Sequence, residues 1–123
     1  MSRLYDRVAL IGLGLIASSM AHAMRRGGLA GEIVGTARSA ETRRIAADDG
    51  LCDRVVETAA EAVQGADLVV LCVPVGAMGA VAAEIGPHMA QGATLTDVGS
   101  VKRAVVEAVG PHVPGGVHFI PAH

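Results

Sequence analysis

Residues 66–74 read ADLVVLCVP, an almost unbroken apolar run. A strand with one wet face alternates apolar and polar residues, whereas a continuous run fits a strand covered on both faces. Sheets covered on both faces are mainly parallel, and each parallel strand reaches the next through a crossover, usually a helix. The rest of the chain reads in that way. RVALIGL (7–13) is a strand run, followed by IASSMAHAMRRGG (16–28), whose helical spacing stops at Gly27-Gly28. GEIVGTA (31–37) is a second strand, and Ser39 can cap a helix that stops at Gly50. DRVVE (53–57) is a weaker third strand, after which Thr58 and Glu61 form a capping-box pattern before AAEAVQG. Beyond the run at 66–74 come a helix near 77–89, a strand GATLTDVG (92–99), a helix from about 101 to 110 and a last strand GGVHFIP (115–121). The expected fold is a Rossmann-type, doubly wound α/β domain with a mainly parallel sheet of about six strands and right-handed crossovers.

Composition narrows the chemistry. The 123 residues correspond to one domain, and with only Tyr5 and Phe119 aromatic the core must come from Val, Ile, Leu and Ala. A net charge of −2 with interspersed signs lacks the basic stripe that nucleic acid requires. Cys52 and Cys72 lie in apolar stretches without a CxxC or a His/Cys cluster, which reads as reduced thiols of a cytoplasmic protein and no metal site. The first 23 residues imitate a secretory leader. However, two glycines interrupt the apolar stretch, Asp6 sits in the basic region, and cleavage after Ala23 would remove the first strand and its loop. No run reaches the roughly 18 apolar residues of a membrane span.

The first strand leads directly into Gly12-Leu13-Gly14-Leu15-Ile16-Ala17, a G-x-G-x-x-A. Gly12 permits the tight turn, Gly14 lets a pyrophosphate approach the backbone, and Ala17 lets the helix pack on the sheet. The N–H groups where Leu15 and Ile16 open the helix, aided by the helix dipole, would hold the anion. Such a pattern alone also fits a tight turn; its setting in a strand–helix–strand unit favours dinucleotide binding.

Twenty residues after Ala17, where an NAD site usually places an acid against the ribose 2′-hydroxyl, stands Ala37, followed by Arg38 and Ser39. Arg38 can pair a 2′-phosphate in bidentate fashion and Ser39 can donate to it, while the missing acid removes a repulsion. NADP is therefore the expected cofactor. NAD remains open if Arg38 stacks on adenine or lies in solvent. Val73-Pro74 ends the fourth strand at the carboxyl edge, where such folds bind ligands, so Pro74 would shape the nicotinamide side; a simple strand stop explains it nearly as well.

Other polar residues have plainer readings. His22, Arg25 and Arg26 read as surface residues, and His88 and His112 as solvated or capping groups beside prolines. His118, on the face of Ile120, reads as a packed histidine. Asp97 would cap the turn through the 98–100 backbone, and Lys102 would sit either in solvent or at the substrate mouth.

LTDVGSVK (95–102) and the terminal FIPAH, together with ALIGLGLIASS (9–19), resemble the prephenate and arogenate dehydrogenases of tyrosine biosynthesis. The resemblance covers the whole chain, and DVGSVK is its more specific part. It implies a nucleotide-binding domain of an enzyme that oxidatively decarboxylates prephenate, arogenate or both, joined in the family to a helical domain that dimerises. It further implies that Ser100 hydrogen-bonds near the substrate hydroxyl and the nicotinamide, and that His123 is the catalytic histidine. On this reading residues 1–123 end just behind that histidine, before the family's Pro-x-Ala-Gly continuation and helical domain. Two other readings share the cofactor fold: a β-hydroxyacid dehydrogenase or imine reductase, and a non-catalytic NADP-sensing module.

Overall fold

The computed structural model describes residues 4–13, 15–50, 52–99 and 102–121. Its centre is a six-stranded, wholly parallel sheet: β1 (Tyr5–Ile11), β2 (Ala30–Thr36), β3 (Arg54–Val56), β4 (Leu68–Leu71), β5 (Thr94–Asp97) and β6 (His118–Phe119). In space they follow the order β3-β2-β1-β4-β5-β6. The chain thus builds outward from β1 to one side, returns, and builds outward to the other, so the direction of winding reverses between β1 and β4.

The middle strands are covered on both faces, as their continuous hydrophobicity requires. On one face Val8, Leu10, Ile33, Leu68 and Val70 meet Ala17 and Ala21 of α1 (Leu15–Gly27). On the other, Ala9, Ile11, Val34, Val69, Leu71 and Leu95 meet α3 (Ala59–Val63), α4 (Val75–Ile85) and α5 (Lys102–Val109). Neighbours in one strand alternate between the two cores, the period-two geometry of a pleated chain. The largest fully buried side chains are aliphatic or Met, among them Leu10, Ile33, Met78 and Ile85. Helices come close because the residues between the layers are small: a Cβ on Gly79 of α4 would lie 3.4 Å from the Ala108 carbonyl oxygen on α5.

Local chemistry sets the helix ends. Gly28, at φ +63°, closes α1: its N–H donates to Arg25 O and the Leu29 N–H to Met24 O, the paired bonds of a Schellman stop. Helix α2 (Ala40–Asp49) begins where Ser39 Oγ accepts from Thr42 N and ends at Gly50, at φ +66°. Thr58 Oγ accepts from Glu61 N to start α3, but the Glu61 carboxylate accepts from the Thr58 hydroxyl, so the box closes between side chains. The Ala60 N–H donates to Glu84 of α4 instead.

Three outlines differ from the sequence expectation. The run at 66–74 pairs only over Leu68–Leu71, and the last strand only over His118–Phe119. Helix α4 starts two residues early, directly behind Pro74, and its expected end is a separate 3-10 turn at Gly86–His88. Apolar character does not mark where ladder pairing stops: Cys72 and Val73 are half-buried beyond the end of β4, and Ile120 is exposed beyond the end of β6. No helix among the described residues is long and apolar enough to cross a membrane.

Candidate functional site

The carboxyl ends of β1, β2, β4 and β5 share one rim of the sheet, and every described candidate residue lies on it. At its centre, Gly12 follows β1 at φ +97°, a conformation that L side chains rarely adopt. A Cβ there would stand 2.8 Å from Val73 Cγ1 and 2.9 Å from the Cys72 carbonyl oxygen. The turn after β1 therefore presses on the end of β4, and only glycine fits. Two backbone bonds fix the approach: Gly12 N donates to Thr36 O at 2.9 Å and Cys72 N to Ile11 O at 2.7 Å. Leu13 is seated against Gly35 of β2, where a Cβ would meet Leu13 Cδ2 at 3.0 Å and Cys52 Sγ at 2.7 Å. Behind this turn α1 begins at Leu15, with no acidic residue in its first turn to repel an anion.

The second part of the rim is the exit from β2. Thr36 is buried, its hydroxyl donating to Val56 O at 2.7 Å. Ala37 is buried behind it, and Arg38 and Ser39 are exposed. The Ser39 oxygen already accepts from Thr42 N, which leaves its hydroxyl proton available to another acceptor. The Arg38 guanidinium makes no hydrogen bond or ion pair among the described residues.

The third part follows β4 and β5. Pro74 is exposed and precedes the first turn of α4, with Ala77 N donating to its carbonyl at 2.9 Å. It is thus both the strand stop and part of the rim. Asp97 is 2 % exposed, and its Oδ2 accepts from Gly99 N at 2.8 Å, the capping role expected of it. Gly99 has no room for a side chain, since a Cβ would lie 2.6 Å from Val105 Cγ2 and 2.9 Å from Asp97 Oδ2. The turn after β5 is therefore held by a buried carboxylate below and by α5 beside it.

Gly14, Ser100 and His123 lie outside the described residues, as do the side chains of Leu15 and Ile16. Gly12, Ala37, Arg38, Ser39, Val73 and Pro74 share the rim, and Lys102 is exposed at the start of α5. His118 is a correction: it shares a face with Ile120 as alternation requires, but that face is turned to water, where Ile120 is 57 % exposed. Arg25 is exposed, as expected of a surface residue, and pairs with Asp53, whose carboxylate also accepts from Ile33 N. Two contributors were missed, Arg43 and Gly99. Arg43 donates through one nitrogen to the carbonyls of Ala37 (2.7 Å) and Arg38 (3.1 Å), a bond that no spacing rule announces. Gly99 was visible within DVGS as a glycine directly after a strand.

Burial raises both thiols. Cys72 is pushed from 9.0 to about 11 by desolvation, and Cys52 is raised for the same reason, with Arg25 pulling weakly the other way. Neither is poised as a nucleophile at neutral pH. Among the described residues no group of His, Cys, Asp and Glu gathers in a way that could hold a metal ion.

A dinucleotide fits what is present. The turn at Gly12 packs without a side chain against the end of β4, α1 opens behind it with no acidic residue in its first turn, and the exposed Arg38 guanidinium has no partner among the described residues.

The sequence matches the family described as "Prephenate dehydrogenase, nucleotide-binding domain" over residues 20–123. It is 37% identical over 119 residues to the cyclohexadienyl dehydrogenase of Zymomonas mobilis, covering 97% of this chain and 40% of that protein. Among solved structures, it aligns with Synechocystis arogenate dehydrogenase at a TM-score of 0.81 and 30% identity, over 94% of this chain and 39% of the other. With prephenate dehydrogenase from A. aeolicus, solved with hydroxyphenyl propionate and NAD+, the TM-score is 0.77 at 26% identity, over 94% and 40%. The chain thus spans about 40% of the length of these relatives.

Proposed function

The chain belongs to the prephenate dehydrogenase family, within its nucleotide-binding domain, and from that premise we propose that it is the cofactor-holding part of an NADP-dependent enzyme that oxidatively decarboxylates prephenate or arogenate. The observation that carries the cofactor choice is the exit of β2, where an exposed arginine and a serine stand in place of an acid. A phosphate on the ribose gains a charged, bidentate partner there and meets no carboxylate.

Prephenate carries a ring hydroxyl at C4 and a carboxylate at C1. Loss of hydride from C4 and of CO₂ from C1 makes the ring aromatic. The nicotinamide, when bound, supplies the hydride acceptor. The chain's own part is to place the reactants and move a proton. The turns after β1 and β4 close on one another at Gly12 and Val73, giving the cofactor a rigid floor. Ser100 orients the substrate hydroxyl. His123, as a neutral imidazole, accepts the hydroxyl proton while the C4–O bond gains carbonyl character. In the enzyme, His123→Asn is expected to lower kcat by about 10²–10⁴-fold while leaving cofactor affinity within about twofold. A near-normal rate would remove His123 from that role.

The cofactor reading is tested by fluorescence titration of the 123-residue chain with NADPH and NADH, beside Arg38→Ala. Preference for NADPH, lost in the variant, supports it. Equal affinity for both cofactors rejects it.

A further inference from the structure

Arg38 and Ser39 occupy a turn that has left the sheet, so nothing in the β2 ladder fixes how they are presented. The carbonyls of Ala37 and Arg38 are both taken by one nitrogen of Arg43, at 2.7 and 3.1 Å. Arg43 lies in the first turn of α2, and its backbone N–H also donates to Ser39 O at 3.1 Å. The same residue therefore closes the helix with its main chain and reaches back with its side chain over the turn that precedes it. It is half-buried, whereas Arg38 and Arg44 on either side are exposed. A planar guanidinium suits this bridging because its donors keep fixed directions; an ammonium would not hold two carbonyls in one plane.

We propose that Arg43 is a positioning residue for cofactor discrimination, holding the 37–38 backbone so that Arg38 meets the ribose 2′-phosphate. This rests on the NADP reading above and adds a second residue to it, one that acts through Arg38. Losing two charge-assisted hydrogen bonds from the turn lets Arg38 sample orientations that miss the phosphate. NADH, which lacks that phosphate, does not register the change.

The test is a double-mutant cycle on the 123-residue chain. Dissociation constants for NADPH and NADH are measured for the wild type, Arg38→Ala, Arg43→Ala and the double variant, with circular dichroism confirming the fold. The expected result is that Arg43→Ala lowers the NADPH-over-NADH preference about tenfold with NADH affinity unchanged. The double variant should then be no less selective than Arg38→Ala alone. If Arg43→Ala fails to fold, Arg43→Lys replaces it and should lower the preference about threefold, since one carbonyl keeps a donor. Unchanged preference in the Arg43 variant, while Arg38→Ala loses it, overturns this proposal and leaves the NADP reading intact. Additive losses in the double variant also overturn it, because Arg43 would then touch the phosphate itself. A wild type without preference rejects the NADP reading and this proposal together.

Discussion

Single residues of one type do different work here, and the glycines show it best. Gly50 and Gly12 both have positive φ, but a Cβ on Gly50 meets nothing within 4 Å, whereas one on Gly12 meets a carbonyl oxygen at 2.9 Å. Gly50→Ala should therefore cost only backbone strain, about 1 kcal/mol in urea unfolding, with cofactor affinity unchanged. Gly12→Ala should abolish cofactor binding in the same titration, because the turn must move away from β4 to accept the methyl group. Cys72 gives a pH signature. Its folded pKa is raised to about 11 from 9.0, so the folded chain keeps a proton that the unfolded chain releases. The thiol's contribution is full below pH 9 and is lost as pH rises toward 11. Cys72→Ala should flatten the fall in stability between pH 8 and pH 10.5, measured by denaturant titration. At this scale the sequence was only partly legible. Gly12 and Arg38 stood in patterns with known spacing, but Arg43 acts through a bond from side chain to backbone, which has no periodicity to read.

Secondary elements were more legible, because burial on two faces leaves a continuous apolar signature that solvent-facing strands lack. The helix stops at Gly28 and Gly50, the Ser39 and Thr58 caps and the parallel alternation all followed from residue type and position. Strand ends did not. Cys72 and Val73 are as apolar as Val69, yet the chain turns after Leu71 to bring Val73 onto Gly12. The start of α4 was misplaced because Pro74, which does not donate a hydrogen bond, supplies the entry angle without a side-chain cap. What holds α4 is its apolar face. Ile85 is wholly buried in the core that includes Val69 and Leu95. Ile85→Ala should destabilise the chain by about 2–5 kcal/mol, and an unfolding midpoint within error of wild type would show that this face is not the anchor.

The whole molecule separates its two rims. The carboxyl ends of the strands carry the candidate site, while the amino ends carry polar staples: Asp67 accepts from Asp6 N at 2.8 Å and Arg7 N at 2.9 Å, and Arg7 pairs with Glu32 and donates to Gln64 O. Asp67→Ala should therefore lower stability by about 1–3 kcal/mol and leave NADPH affinity unchanged, measured by urea unfolding beside the titration. The strand order has a further consequence. The central strand β1 meets β2 soon after it is made, but its partner on the other side begins at Leu68, the residue paired with Val8. During synthesis the chain therefore carries an apolar strand with one bare edge for most of its first half, the kind of surface chaperones hold. Chaperone occupancy on ribosome-bound nascent chains should rise as β1 emerges and fall once Leu71 has cleared the exit tunnel. The strand that anchors the cofactor turn is thus made before both of its neighbours and waits for Leu68–Leu71 to cover its second edge.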